Sequence, residues 1–87
     1  MNTENAEILA LQGLGWLASD EDGLQRFLNL SGLDAAALRF QAGTLEMNVA
    51  VLDFLLAQED LLLRFCEAQA IPAREVHLAR HRLGGDV

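Results

Sequence analysis

Apolar residues recur along this chain at helical spacing, and the whole pattern then recurs as a block. Residues Leu11 to Leu38 read again, thirty-eight positions later, as Val49 to Val76. In that register Leu14 pairs with Leu52, Trp16 with Phe54, Leu17 with Leu55, Leu24 with Leu62 and Arg26-Phe27 with Arg64-Phe65. The acidic pair Glu21-Asp22 falls on Glu59-Asp60, and Leu33, Ala35 and Leu38 fall on Ile71, Ala73 and Val76. A period of this length marks a supersecondary unit that buries its apolar face against a neighbouring copy. No segment alternates with the period of a strand. The expected fold is therefore all-α: a compact bundle of five or six short helices in one domain over residues 1–87, with similar three-helix halves at 4–43 and 44–83.

Capping signals divide that pattern. Thr3 or Asn2 caps a first helix over about 4–18, and Ser19 to Asp22 opens a second that ends on Gly32. Asp34 caps a short third helix through about Gln41, stapled by Leu33 and Leu38 and stopped by Gly43. Thr44 opens a fourth over about 45–57, with the fifth and sixth over 59–70 and 73–83. No glycine or proline separates the fourth from the fifth, so propensity alone allows one helix from Thr44 to Ala70; the repeat places a break near Gln58-Glu59-Asp60. Pro72 gives the next boundary by removing a backbone donor, with Ile71 and Val76 repeating the staple. Gly13 and Gly15 each cost up to ~1 kcal/mol inside the first helix. Their missing side chains suit a close approach of the fourth helix, although glycines merely tolerated in a well-packed helix would look the same. The expected core is Leu11, Leu14, Leu17, Leu24, Phe27, Leu38, Leu52, Leu55, Leu62, Phe65 and Val76, with Trp16 and Phe54 at its edge.

Size changes the picture. A chain of 87 residues buries only ~60–65% of its unfolded surface, yet 52% of this one is hydrophobic, which leaves apolar area for an interface. The fifth helix carries the surplus most visibly: Gly23 and Gln25 flank Leu24, whereas Leu61 and Leu63 flank Leu62. Leu63, with Leu61 or Leu56 beside it, is therefore the expected contact of a homodimer or protein partner. The competing expectation is that the sixth helix or the C-terminal tail covers these leucines.

Charge narrows the partners. Net charge is −7, from 13 acids against six basic residues, all arginine, which disfavours a nucleic acid. Arg39 and Gln41 alone could read bases from the third helix, too few for a DNA-binding helix-turn-helix. Cys66 is the sole cysteine and suits a buried thiol in a reducing compartment. The polar, acidic start at Met1 to Glu4 lacks the features of a secretory signal, and the longest apolar stretch, Val49 to Ala57, falls well short of the ~20 residues that a membrane span needs. A cytoplasmic protein without membrane contact is the expectation.

Little here suggests chemistry. His77 and His81 stand four apart on one helical face, the spacing for a shared metal ion, but no third ligand lies nearby and structural or catalytic zinc needs three or four. Asp20, Asp22 and Gly23 begin like a calcium loop, then Gln25 and Ser31 fall where glycine and a bidentate glutamate are required. Glu46, Asp53 and Asp60 recur every seven residues as a solvated stripe would. No histidine, serine or tyrosine accompanies them to build an acid–base pair. Cys66 has no neighbouring base to activate it. The expectation is no enzyme, no catalytic residue and no cofactor.

Three strings carry a family likeness: Leu-Gly-Trp-Leu-Ala at 14–18, Arg-Phe-Leu-Asn-Leu-Ser-Gly-Leu-Asp at 26–34, and Val-Leu-Asp-Phe-Leu-Leu-Ala at 51–57 followed by Glu59-Asp60 and Leu61 to Phe65. Through them the chain resembles a small bacterial family, typical of alphaproteobacteria, known as domain of unknown function 3572. The likeness covers most of residues 6–72. It implies a compact helical cytoplasmic protein and carries no activity, cofactor or site residue with it. A protein-interaction module or adaptor that self-associates is the reading these features favour. The alternative is a ligand-binding regulator with an apolar pocket between the halves, near Trp16 and Phe54.

Overall fold

Four side chains start four helices by accepting orphan amides, as the sequence led one to expect. Asn2 accepts from Asn5 at 2.7 Å, Asp20 from Gly23 at 2.8 Å, Asp34 from Ala37 at 2.8 Å and Thr44 from Met47 at 3.1 Å. The computed structural model describes residues 1–84, the tail beyond lying outside. Its helices are α1 (Thr3–Ser19), α2 (Glu21–Ser31), α3 (Ala35–Gln41), α4 (Leu45–Ala57), α5 (Glu59–Gln69) and α6 (Ala73–Gly84), with no strand among the described residues. The fold is an all-α bundle.

The break between α4 and α5 falls at Gln58, where no side chain caps the new helix. The Gln58 amide instead donates back to the carbonyls of Phe54 and Leu55. Because propensity would run straight through, tertiary packing imposes this corner. Gly32 closes α2 in the left-handed region at φ 76°, and Ala70, thirty-eight residues on, closes α5 there at φ 56°.

α1 and α4, the two most apolar helices, pack against each other in the centre; α6 packs on both, α2 packs on α1, and α5 on α4. Gly13 makes the central contact possible. A Cβ there would stand 3.1 Å from both Val51 and Leu55 of α4. Gly15 differs: a Cβ built on it meets nothing within 4 Å, so only one of the two glycines serves close approach.

Most of the expected core is buried, including Leu14, Leu17, Phe27, Leu38, Leu52, Leu55, Leu62, Phe65 and Val76. Three expectations need correction. Leu11 is 45% exposed, because the inner face of α1 runs through Ala6, Leu9, Ala10, Gly13, Leu14 and Leu17 and Leu11 lies off it. Leu24 is only half-buried. Phe54 lies deeper than an edge residue, whereas Trp16 does sit at the edge, partly buried against the core.

Across the seam between residues 4–43 and 44–83, contacts come in pairs that exchange under the thirty-eight-residue register. Trp16 meets Phe65 at 5.9 Å between ring centroids, and Phe54 meets Phe27 at 5.1 Å. Arg26 donates to Asp60 at 2.9 Å and to Gln58 at 3.3 Å. Arg64 reciprocates, donating to Asp22 at 3.2 Å and to Asp20 at 3.4 Å. Arg26 also holds Asp22 within its own helix at 2.8 Å. The Arg26 hydrogen bond keeps the Asp60 carboxyl below its ordinary pKa. These charges are exposed, so they select the register of the halves more than they stabilise them.

The two glycines make opposite predictions. Gly15→Ala should raise stability by about 0.5–1 kcal/mol through helix propensity, while Gly13→Val should lower it by about 1–3 kcal/mol through overpacking against α4; urea melts measure both. Acid should loosen the seam. A carboxyl depressed in the folded state contributes stability above its unfolded pKa of ~3.9 and loses it as pH falls through the lower folded value. Melts recorded below about pH 4 should show this loss, with a smaller pH dependence in Asp60→Asn.

Candidate functional site

Of the three residues expected to form an interface, one offers no surface. Leu63 is 57% exposed, Leu56 is half-buried, and Leu61 is fully buried in the core. Leu61 is therefore removed from the interface. The reason is visible at its counterpart Gly23, also buried, where a Cβ would come within 3.0 Å of Leu17. The position faces inward in both halves, and glycine there marks tight packing, not contact with water. α5 keeps Leu63 as an isolated apolar residue between exposed acids.

His77 and His81 both lie exposed on α6, and no group of three or more His, Cys, Asp or Glu side chains converges on a metal-sized site among the described residues. The seven-residue carboxylate stripe is interrupted by the Gln58 corner. Asp53 engages Arg80 and Asp60 engages Arg26. Burial pushes the Cys66 thiol up, away from thiolate. Trp16 and Phe54 do not frame one pocket either, since each turns to a phenylalanine of the other half.

What the fold does display is an exposed ring and an open apolar slot. Phe40 on α3 is 89% exposed, the most exposed large apolar side chain, and Leu30 at the end of α2 follows at 71%. The physical cause is the isolation of α3, which only grazes the other helices. Its sole buried residue is Leu38; two positions on, ~200° around the helix, Phe40 must point outward. That angle was the available signal in the sequence.

The slot is an apolar concavity of about 250 Å³ between α2 and α4, walled by Phe27, Leu30 and Phe54. Ala50 and Ala57, one face of α4 with Asp53 between them, keep it shallow-walled and open. Its counterpart in the other half would lie against Phe65 and Trp16. There the register places Trp16 for Phe54, Ala68 for Leu30 and Gln12 for Ala50. A second cleft of about 430 Å³ lies between α1 and α6, mixing Ile8, Leu9 and Leu78 with Gln12, Gln69 and Glu75. The first recess suits an aromatic side chain; neither gathers a nucleophile with a base.

No helix among the described residues is long and apolar enough to cross a membrane. None of the curated proteins and none of the solved structures matches the chain. A family model described as "Protein of unknown function (DUF3572)" matches residues 3–86. With nearly its whole length inside that match, the chain belongs to the DUF3572 family.

Proposed function

We propose that this protein is a protein-interaction module, a small adaptor acting in the cytoplasm, built from two copies of a three-helix unit and without enzymatic activity of its own. The observation that carries the reading is Phe40, an aromatic side chain 89% exposed on a helix that contributes little to the core. Leaving such a ring in water forgoes ~1.5–3 kcal/mol of burial, and aromatic residues held this way are the anchors on which interfaces concentrate their energy. The aromatic slot between α2 and α4, with Leu30 as one wall, supplies a matching recess. The unpaired thiol of Cys66 fits a reducing compartment.

The α1/α6 cleft favours the second reading, a regulator of some small ligand, because apolar side chains and amide groups converge there. That cleft, and not a pocket at Trp16 and Phe54, is where a ligand would go.

A photo-crosslinking amino acid placed at position 40 tests the main reading in the native cell. It should give protein adducts that the same group at exposed Glu67 does not give. Equal yields from the two positions would remove Phe40 from any interface. If, instead, the α1/α6 cleft is the working site, apolar amides should protect α1 and α6 amide protons from exchange while leaving the position-40 adducts absent.

A further inference from the structure

Resting on that reading, we infer that the slot between α2 and α4 is the seat of Phe40 from a second copy of this chain, two copies exchanging their α3 knobs in an isologous dimer. The slot is shaped for a ring. Its walls are the edge-to-face pair Phe27 and Phe54 with Leu30, where the other half has Phe65, Trp16 and Ala68. Within one copy the chain does not fill this recess, since α3 leaves Phe40 in solvent.

Charge selects the same occupant. A chain of net charge −7 repels its own copies unless the contact is locally complementary. α3, Ala35–Gln41, carries no acidic residue, and its Arg39 makes no ion pair among the described residues. Along the α4 side of the slot, Asp53 is already held by Arg80, whereas exposed Glu46, one turn before Ala50, makes no ion pair among the described residues. Arg39 beside Phe40 therefore brings an unpaired cation toward an unpaired acid as the ring enters the slot. Because each copy holds one knob and one slot, a twofold arrangement satisfies both at once and closes, whereas a one-way contact would propagate into a filament.

Sedimentation of the full chain at ~100 µM, where a micromolar dimer is well populated, tests this with three variants. Phe40→Ser removes the knob, Leu30→Gln alters an exposed wall of the slot, and Phe54→Trp copies the other half and fills it. Wild type should be dimeric, and each folded variant should weaken the dimer at least ~10-fold with an unchanged circular dichroism spectrum. An equimolar mixture of Phe40→Ser and Phe54→Trp should recover part of the affinity, because one intact knob still meets one intact slot. Should Phe54→Trp fail to fold, Leu30→Gln takes its place in the mixture. Monomeric wild type, or Phe40→Ser sedimenting as wild type does, would overturn the inference. If a monomeric wild type nevertheless gave position-40 adducts with another protein, the interaction module would stand and self-docking alone would fall.

Discussion

The contact of Gly13 with Val51 and Leu55 is the constraint on which the rest of this fold depends. Two helices as apolar as α1 and α4 must each bury a wide face, and a domain this small has few elements with which to cover them. Bringing the two backbones close lets each helix cover the other. α6 then closes over both, and α2 and α5 need to cover only one flank each. A side chain at position 13 would crowd the Val51 and Leu55 side chains, which must give way by a few tenths of an ångström in an interior packed at crystal-like density.

The paired contacts across the seam show how a near-symmetric object gains a unique assembly. Each arginine reaches the acids of the other half, and each half offers one ring to the other's phenylalanine. Symmetry alone would leave the halves interchangeable. The departures break that degeneracy: Gly13 opposite Val51, Gly23 where the other half has Leu61, Trp16 where it has Phe54. At Gly13 a small residue in the first half receives large ones, Val51 and Leu55, from the second. The third helix of each half departs furthest, since α6 covers the centre while α3 stands aside. The exposed Phe40 belongs to the half with the displaced third helix, and the open slot lies where that half meets α4 of the other.

Much of the fold was legible because capping and periodicity are local. Asn2, Asp20, Asp34 and Thr44 begin helices by hydrogen bonds spanning three residues, which a sequence displays directly. The register of the two halves was legible for a related reason: equal spacing of Arg26-Phe27 and Arg64-Phe65 after their acids. The burial of Leu61 and the choice between the two readings of Gly13 and Gly15 were not legible, because a glycine looks the same in sequence whatever surrounds it. Gly23 and Gly13 are buried against side chains from other turns or helices, Gly15 faces open space, and only tertiary packing separates these cases. Leu11 was misread because an apolar stretch with hydrophobic residues on several faces hides which face turns inward. Phe40 was legible in principle from its angle to Leu38, but that signal matters only once α3 is known to lie apart.

Trp16, the chain's single tryptophan, belongs to the first half, while the groups that define its surroundings, the Phe65 ring and the Arg64 guanidinium 5.9 Å away, belong to the second. Its indole emission is therefore a gauge of docking between the halves and is nearly blind to helix formation within either one. Far-ultraviolet dichroism has the opposite sensitivity. Coincident transitions from the two would mean that neither half holds its helices without the other, and that the seam is where the cooperativity of the molecule resides.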